Sequence, residues 1–360
     1  MPSTRGYNNS VPAATADDDE PDFVYDVVEN DPDPAYVVTP ENEHEFFRVV
    51  CDRELNTIQT FYLLPSDQEE LRRYAHFHRM MFLVMGSRNY VGPVQQILTA
   101  PTRRRKRILD VGTGGGLWCV LAMEMAEEFP NAIVYGADVA PIQPRLVPPN
   151  CNFELFDAQR IPFPNEYFDL VHARCVHIGI RNYPEFLREI ARVLRPGGIV
   201  ILAETEINAL SEDKMPIEAG HTGGAPGWHA LWDQYRRCLA GHGVDTSVPT
   251  RLRALLSDTN AFDNIIAQEA AIPIGFWPKG KSNPGLLTIG QYSWMEQDLF
   301  LTALRPLFMS YGLTEHRAKV LIEDAQHDLY YPNTRPYTCL HITHARKRSS
   351  WSPPSATRYQ

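Results

Sequence analysis

The sequence predicts an α/β protein built on a doubly wound, mostly parallel sheet. Two observations support this prediction. Strand-like apolar runs alternate with stretches of helical periodicity between residues 107 and 203, and a glycine-rich turn directly follows the first of these runs. Alternating strands and helices form a parallel sheet, whose ligands lie beyond the carboxyl ends of its strands. We therefore expect the loops at those ends to hold the functional site.

The elements follow one another without long gaps. The strand-like runs are "RILDV" (107–111), "AIVYGAD" (132–138), "CNFELFD" (151–157), "FDLVHAR" (168–174), "GGIVILAE" (197–204) and a last one, "YTCLHITHA" (337–345). The helical stretches between them are "LWCVLAMEMAEEF" (117–129) and "YPEFLREIARVL" (183–194). The core of the chain is thus an α/β domain over residues 101–345.

Two further segments surround this core. Residues 41–100 predict a helical cap, because Ser66 and Glu69 have the spacing of a capping box before an apolar helical face. Residues 205–335 are longer than a simple connection needs and predict an insertion over the substrate side. In this insertion Trp228, Trp232 and Tyr235 share one helical face, which favours core packing.

The composition of both ends of the chain predicts that they are disordered. Between Ala16 and Pro34 there are nine Asp or Glu and no Lys or Arg, a composition that cannot bury enough apolar surface to fold. We interpret residues 1–40 as an acidic tail and residues 346–360 as a second unstructured tail. The basic run "RRRKR" (103–107) has two interpretations, a solvated entry into the first strand or a nuclear import signal.

Composition excludes several classes of protein. The sequence has no apolar run long enough to span a membrane and no apolar core for a secretory signal. Its six cysteines form no C-x-x-C pair, which favours reduced thiols inside the cell and predicts no metal site. A net charge of −10 argues against a nucleic-acid partner. We expect a cytoplasmic protein, with the nucleus as the alternative.

The glycine turn in "RILDVGTGGGLW" indicates a ligand-binding loop. Gly112, Gly114 and Gly116 let the backbone turn sharply and approach a ligand, while the next helix offers free N–H groups. The spacing is G-x-G-x-G, whereas dinucleotide enzymes have G-x-G-x-x-G and would need glycine at Leu117. Asp110 precedes the turn and is placed to orient the loop and meet an ammonium group.

Two more acidic residues end the following strands. The Asp138 carboxylate can accept hydrogen bonds from both hydroxyls of a ribose. Asp157 can accept one from an adenine amino group, with backbone supplied by Ala158. Each aspartate alone would be interpreted as a helix cap or turn residue. Together they predict a ligand with an amino acid, a ribose and an adenine, which is S-adenosylmethionine.

These motifs resemble those of class I S-adenosylmethionine-dependent methyltransferases. The resemblance rests on "ILDVGTGGGLW", "VYGADVAP", "FELFDAQRIPF", "YFDLVHARCVHI" and "LREIARVLRPGGIVILAE". The flanking "LPSDQEELRR", "APIQPRLVPPNCNFELFDA" and "IPIGFWPKG" look like the LaeA-like fungal methyltransferases of secondary metabolism. The resemblance implies a seven-stranded sheet, with Asp110, Gly112, Gly114 and Gly116 at the methionine end, Asp138 and Val139 at the ribose, and Asp157 and Ala158 at the adenine.

The acceptor side is less defined by the sequence. Methyl transfer from a sulfonium needs alignment in a dry cleft, and it needs a base only when the acceptor is protonated. His177 lies where the family's strand-end residue faces the acceptor, but a loop histidine that packs against the next helix is an equal alternative, so no base is assigned. His172 is expected to be a core residue, and Arg174 a partner of an acidic side chain or substrate.

Three functions remain open at this point. The leading one is methylation of a small molecule in fungal secondary metabolism. Tyr62 and Tyr74 from the helical segment and His221, Trp228 and His229 from the insertion are expected at the acceptor pocket, and aromatic residues there suit a hydrophobic acceptor. The second is a regulatory methyltransferase that acts in the nucleus with protein partners, supported by the acidic tail and the basic run. The third is a nicotinamide-dependent oxidoreductase, which the glycine spacing and the lack of a Y-x-x-x-K pair disfavour.

Overall fold

A computed structural model describes residues 33–115, 121–208, 210–217, 225–278 and 284–351. The strands in these residues are β1 Phe47–Val50, β2 Arg53–Asn56, β3 Lys106–Val111, β4 Ala132–Asp138, β5 Cys151–Leu155, β6 Phe168–Arg174, β7 Leu194–Thr205, β8 Phe262–Pro273 and β9 Tyr337–Lys347. Strands β1 and β2 form an antiparallel hairpin, and the other seven form one sheet.

The seven-stranded sheet has the order β5-β4-β3-β6-β7-β9-β8. The first five strands are parallel, and β9 runs antiparallel to both of its neighbours. From β3 the chain continues outward through β4 to β5, and it then returns to place β6 on the other side of β3. The strand order therefore reverses at β3, and a crevice opens at the carboxyl end of this strand. The predicted doubly wound, mostly parallel sheet is confirmed.

Helices cover both faces of the sheet and one end of it. They are α1 Gln68–Val84, α2 Val94–Leu98, α3 Leu121–Glu128, α4 Tyr183–Val193, α5 Pro226–Gly241, α6 Val248–Asp258, α7 Pro284–Ala303, α8 Arg305–Ser310 and α9 Glu315–Tyr330, with 3-10 turns at Glu43–Phe46 and His177–Gly179. Residues of α4 and α6 pack on one sheet face, and residues of α1, α2 and α3 pack on the other. A third apolar core joins α5, α7, α8 and α9, and it contains the predicted stripe of Trp228, Trp232 and Tyr235.

The segment before α1 differs from the expected all-helical cap, because it also contains the β1–β2 hairpin. The helix cap lies one residue later than predicted: Asp67, not Ser66, accepts the N–H of Glu70 at 3.1 Å. The backbone N–H of Ser66 instead donates to the carbonyl oxygen of Glu54 in the hairpin at 2.7 Å. This contact holds the backbone of Ser66 against the hairpin, and the helix therefore begins one residue later, with Asp67 as its cap.

The long insertion also contains a strand that the sequence analysis missed. Strand β8 lies at the edge of the sheet and pairs with β9. Most of its middle residues are exposed on both faces, so its sequence "FDNIIAQEAAIP" shows no clean alternation of apolar and polar residues. Hydrophobic periodicity cannot detect a strand of this kind.

The basic run is held against the sheet. Arg104 makes two hydrogen bonds of 2.7 Å to the carboxylate of Asp169, and Lys106 lies 3.5 Å from the same group. Arg105 donates to the carbonyl oxygen of Ala132 at 3.0 Å. These contacts agree with the interpretation of the run as the entry into β3.

The tail predictions concern residues that the structure describes only in part. Residues 33–40 contain no helix or strand, and residues 1–32 and 352–360 lie outside the described ranges. At the other end, β9 continues to Lys347, two residues beyond the predicted end of the strand. Among the described helices, none has the length and apolar content needed to cross a membrane.

Candidate active site

A cavity with about 1510 Å³ of empty space, including its open mouth, lies at the carboxyl ends of β3, β4, β6 and β7. The described residues that line it run from Gln59 to Thr338. One part is formed by the glycine turn and the ends of β4 and β6. The other part is formed by α1, α5 and α7, together with the chain that leads into α1.

The glycine turn disfavours a side chain at three of its positions, Gly112, Gly114 and Gly115. Gly112 and Gly114 have φ values of 68° and 67°, which other L-residues rarely adopt. A Cβ atom on Gly112 would lie 2.5 Å from Cγ1 of Val176, and one on Gly115 would lie 2.3 Å from the carbonyl oxygen of Ile142. Close packing within the protein is therefore one reason for these glycines. Gly116 lies outside the described residues.

Asp138 ends β4 and organises the turn. Its carboxylate accepts the N–H groups of Gly114 and Val139 at 2.8 Å each and that of Ala140 at 3.2 Å. Burial raises the pKa of Asp138, and the nearby carboxylate of Asp110 adds to the rise, against the three N–H donors that lower it. Asp138 and Val139 both line the cavity.

Asp110 is placed differently from the expectation. It is buried, it is not among the residues that line the cavity, and its Oδ1 lies 2.8 Å from Nδ1 of His172. His172 is likewise buried in β6. The predicted core role of His172 agrees with this pair. Asp110 affects the cavity through its charge, which helps to raise the pKa of Asp138.

Asp157 follows β5 and is held by two glutamines. Its carboxylate accepts the side-chain amide of Gln59 at 2.6 Å and that of Gln159 at 3.1 Å. Asp157 is not among the lining residues, but Gln59, Phe156 and Ala158 are. The sequence analysis did not identify Gln59, because it comes from a loop about a hundred positions away in the chain.

Much of the cavity is lined by aromatic side chains, one of which, Tyr74, lies beside the glycine turn. Its lining includes Tyr62, Tyr74, Trp232, Tyr235 and Phe300. Trp232 stacks on Phe300 with the ring centroids 5.8 Å apart. Of the residues expected here, Tyr62 and Tyr74 are present, Trp228 and His229 are not among the lining residues, and His221 lies outside the described ranges.

A buried charged cluster borders these aromatic rings. Arg73 donates two hydrogen bonds to Oε1 of Glu70, at 2.9 and 2.7 Å, and pairs with Glu296 on α7. Burial raises the pKa of Glu296, although the Arg73 guanidinium opposes the rise. Arg73 and Glu296 line the cavity. Sequence reasoning missed this cluster because its members come from two helices far apart in the chain.

His177 begins the turn after β6 and lines the cavity. Its Nδ1 lies 2.7 Å from Oε2 of Glu204, and both side chains are almost completely buried. Glu204 also accepts the hydroxyl of Tyr183 at 3.2 Å. The position of Glu204 near the end of a parallel strand, in "GGIVILAE", is the signal that would have found it.

Several buried polar atoms in the cavity lining have no hydrogen-bond partner among the described residues. They are Thr113 Oγ1, Arg174 Nη1, His177 Nε2, Trp232 Nε1, Ser293 Oγ and Gln297 Oε1. Such atoms are costly unless a ligand or water satisfies them. The Arg174 guanidinium also contacts Nδ1 of His78 at 3.1 Å, so its partner is a histidine and not the expected acid.

These features fit an adenosyl ligand with an amino-acid end. The carboxylate of Asp138 can accept hydroxyl donors with its remaining lone pairs. The unpartnered Thr113 hydroxyl and Arg174 N–H offer further contacts around the glycine turn.

The chain is similar to known methyltransferases. A family model described as a methyltransferase domain matches residues 86–262. The secondary metabolism regulator laeA of Coprinopsis cinerea is 29% identical over 301 residues, covering 82% of this chain and 72% of that protein. The methyltransferase pytC of Aspergillus terreus is 28% identical, covering 61% of this chain and 62% of that protein. The protein-methionine methyltransferase laeA of Emericella nidulans is 26% identical, covering 79% and 72%.

The sheet, the glycine turn and the matched domain define the chain as a class I S-adenosylmethionine-dependent methyltransferase. Within that class it is of the LaeA-like type. S-adenosylmethionine is therefore its methyl donor, and the nicotinamide-dependent oxidoreductase is no longer a candidate.

Proposed function

We propose that the part of the cavity around the glycine turn binds S-adenosylmethionine. Asp138 and Val139 would hold the ribose, and Ala158 with Phe156 would border the adenine. Gly112, Gly114 and Gly116 would leave room for the methionine end. Asp110 and Asp157 support this site indirectly, since their carboxylates are engaged by His172 and by Gln59 and Gln159. Residues 101–345 would form the catalytic unit, with the substrate-side insertion at 205–335 and the helical cap before it.

We propose further that the acceptor is a small, largely apolar molecule of fungal secondary metabolism. The aromatic lining of the cavity is the observation that carries this proposal, because such a wall suits a hydrophobic ligand with a few polar groups. The unpartnered Ser293 Oγ, Gln297 Oε1 and Trp232 Nε1 would orient those polar groups. The similarity to proteins named as secondary metabolism regulators supports a role in that metabolism, and pytC is named simply as a methyltransferase. A metabolic enzyme of this kind would work in the cytoplasm.

The donor supplies a methyl group already activated by its sulfonium, so the protein contributes mainly alignment and exclusion of water. Holding the two reactants in line can lower the activation barrier by roughly 7 to 11 kcal/mol. His177 is our candidate for a general base. With Nδ1–H donated to Glu204, its Nε2 keeps a lone pair that can take the proton of a hydroxyl acceptor. In this scheme Glu204 is a positioning residue.

The proposal of a small-molecule acceptor can be tested with a strain that lacks the gene and with an isotopically labelled methyl donor. An extract of the strain that lacks the gene would be incubated with the purified full chain and S-adenosylmethionine that carries a deuterated methyl group. We expect one or a few metabolites to gain the labelled methyl group in mass spectra. An extract with no labelled metabolite, together with label on protein, would overturn the small-molecule proposal.

A regulatory methyltransferase that acts with protein partners in the nucleus is the second candidate. The laeA relatives match a larger share of this chain than pytC does, and the Emericella nidulans relative is named for a protein methionine acceptor. Labelled methyl groups on protein in the same incubation would favour this function.

A further inference from the structure

A second cluster of reactive side chains lies beside the cavity, between β7 and β9. Glu206 directly follows β7, and Cys339 and His341 belong to β9. Because side chains two positions apart in a strand point to the same face, Cys339 and His341 face Glu206 together. Nε2 of His341 lies 2.7 Å from Oε1 of Glu206, and one ligand atom from each of the three residues lies within 4.8 Å of the others.

The three residues provide the donor types that zinc prefers. Zinc binds thiolate sulfur, imidazole nitrogen and carboxylate oxygen, and sites with three protein ligands keep a fourth position for water. His341 is buried and the other two side chains are half-buried, so the cluster is within reach of an ion that enters from the cavity, which Glu206 lines.

Two polar side chains lie beside these donors, where the outer residues of metal sites are found. Oε1 of Glu269 on β8 lies 3.4 Å from Nδ1 of His341, opposite the nitrogen that faces Glu206. The side-chain amide of Asn208 donates to the other oxygen of Glu206 at 3.2 Å. A carboxylate on the far nitrogen of a ligating histidine fixes the ring and makes it a better ligand.

We propose that Glu206, Cys339 and His341 bind one divalent cation of the zinc class. On binding, the Cys339 thiol loses its proton and Nε2 of His341 presents its lone pair, so the cation replaces the proton that now joins His341 to Glu206. The sequence predicts no metal site because it contains no C-x-x-C pair. Here a C-x-H pair on one strand is completed by a carboxylate from another strand. The proposal does not depend on the methyl acceptor.

The first experiment uses the full chain, reduced and stripped of metal with a chelator. We expect it to bind one equivalent of Zn²⁺ in competition with a chromophoric chelator. One equivalent of Co²⁺ should give the thiolate-to-cobalt charge-transfer absorption in the near ultraviolet. A wild-type chain that binds neither ion, or binds Co²⁺ without this absorption, would overturn the proposal without any variant.

Variants assign the site to these residues. Cys339→Ser should remove the charge-transfer absorption and weaken Zn²⁺ binding at least about tenfold, whereas Cys51→Ser, the control at a half-buried thiol far along the chain, should change neither. Glu269→Gln should weaken binding by about tenfold while it keeps the absorption. Unchanged Zn²⁺ binding and Co²⁺ absorption in Cys339→Ser would overturn the assignment, whatever the result for Cys51→Ser.

Discussion

The carboxylate of Asp138 accepts N–H groups from two parts of the site, the glycine turn and the chain after β4. In the proposed complex it would also accept the ribose hydroxyls. Asp138→Ala would remove charge-assisted hydrogen bonds worth about 1.5 to 3 kcal/mol each. We expect S-adenosylmethionine affinity to fall at least about tenfold, at roughly 1.4 kcal/mol per decade, together with a lower melting temperature. Calorimetry and thermal unfolding would measure the two effects.

The matched variant Asp138→Asn separates these two roles. The amide oxygen can still accept the N–H groups of Val139 and Ala140, but the NH2 group then faces the N–H of Gly114, and the charge is lost. We expect Asn to lower the melting temperature less than Ala does and still to bind the donor more weakly. An Asn variant with native affinity and turnover would remove Asp138 from the proposed site.

The raised pKa of Asp138 predicts a pH dependence of donor binding. Only the ionised carboxylate accepts hydrogen bonds with both oxygens, so affinity is complete above its pKa and decreases as pH falls through it. The decrease should begin at a higher pH than for an ordinary aspartate. Titration calorimetry across a pH series would show it, provided that the protein stays folded, and Asp138→Asn should flatten it. Equal slopes in both proteins would contradict the assignment.

His177 offers a test of the base. In His177→Asn the amide can still donate to Glu204, but no group replaces Nε2. If His177 is the base for a hydroxyl acceptor, turnover should fall by about 10² to 10⁴ while donor affinity and melting temperature stay close to wild type. Wild-type turnover in His177→Asn would leave the residue a purely structural role, in which it ties the turn after β6 to β7.

At the scale of elements, the start of α1 depends on Asp67. Its side chain caps the helix and makes two hydrogen bonds to Arg53 in β2, at 2.5 and 2.8 Å. Burial alone would raise the pKa of Asp67, but the hydrogen bonds from Arg53 and from the Glu70 N–H lower it overall. The stabilisation is therefore complete above the unfolded-state pKa and is lost as pH falls through the lower folded value.

We expect Asp67→Ala to reduce the free energy of unfolding by about 1 to 2 kcal/mol at neutral pH, since it removes a cap and a half-buried ion pair. Ser66→Ala is the control, because the hairpin contact of Ser66 is made by its backbone. Urea denaturation would compare them. A larger loss in Ser66→Ala would restore the capping box that the sequence predicts.

The elements that the sequence predicted well are those whose own residues decide their structure. Strands β3, β4, β6 and β7 are largely apolar, are mostly buried and are followed by turns or helices, so each is recognisable locally. The hairpin, the cap at Asp67 and β8 depend on partners distant in the chain. The same distinction holds in the site: Asp138 ends its own strand, whereas the pairs Arg73–Glu296 and Gln59–Asp157 form only in the folded chain.

At the scale of the whole molecule, we expect the acidic N-terminal segment to be separable from the site. All described residues that line the cavity lie at or beyond Gln59. We expect deletion of residues 1–40 to leave donor affinity unchanged, since no described cavity contact is lost. Calorimetry on the truncated and full chains would measure this. A large loss of affinity after truncation would show that the segment contributes to the site.

The order of the strands has a consequence for how the protein is made. Strand β9 is the last of the described elements, yet it lies between β7 and β8 and is the sheet partner of β8. While the ribosome is still synthesising residues before Tyr337, the edge of β7 and the whole of β8 lack their partner. Unpaired strand edges of this kind are prone to misassembly. The nascent chain thus carries an unfinished sheet until Tyr337–Lys347 has been translated, and a premature stop before β9 would leave β8 with no strand to join.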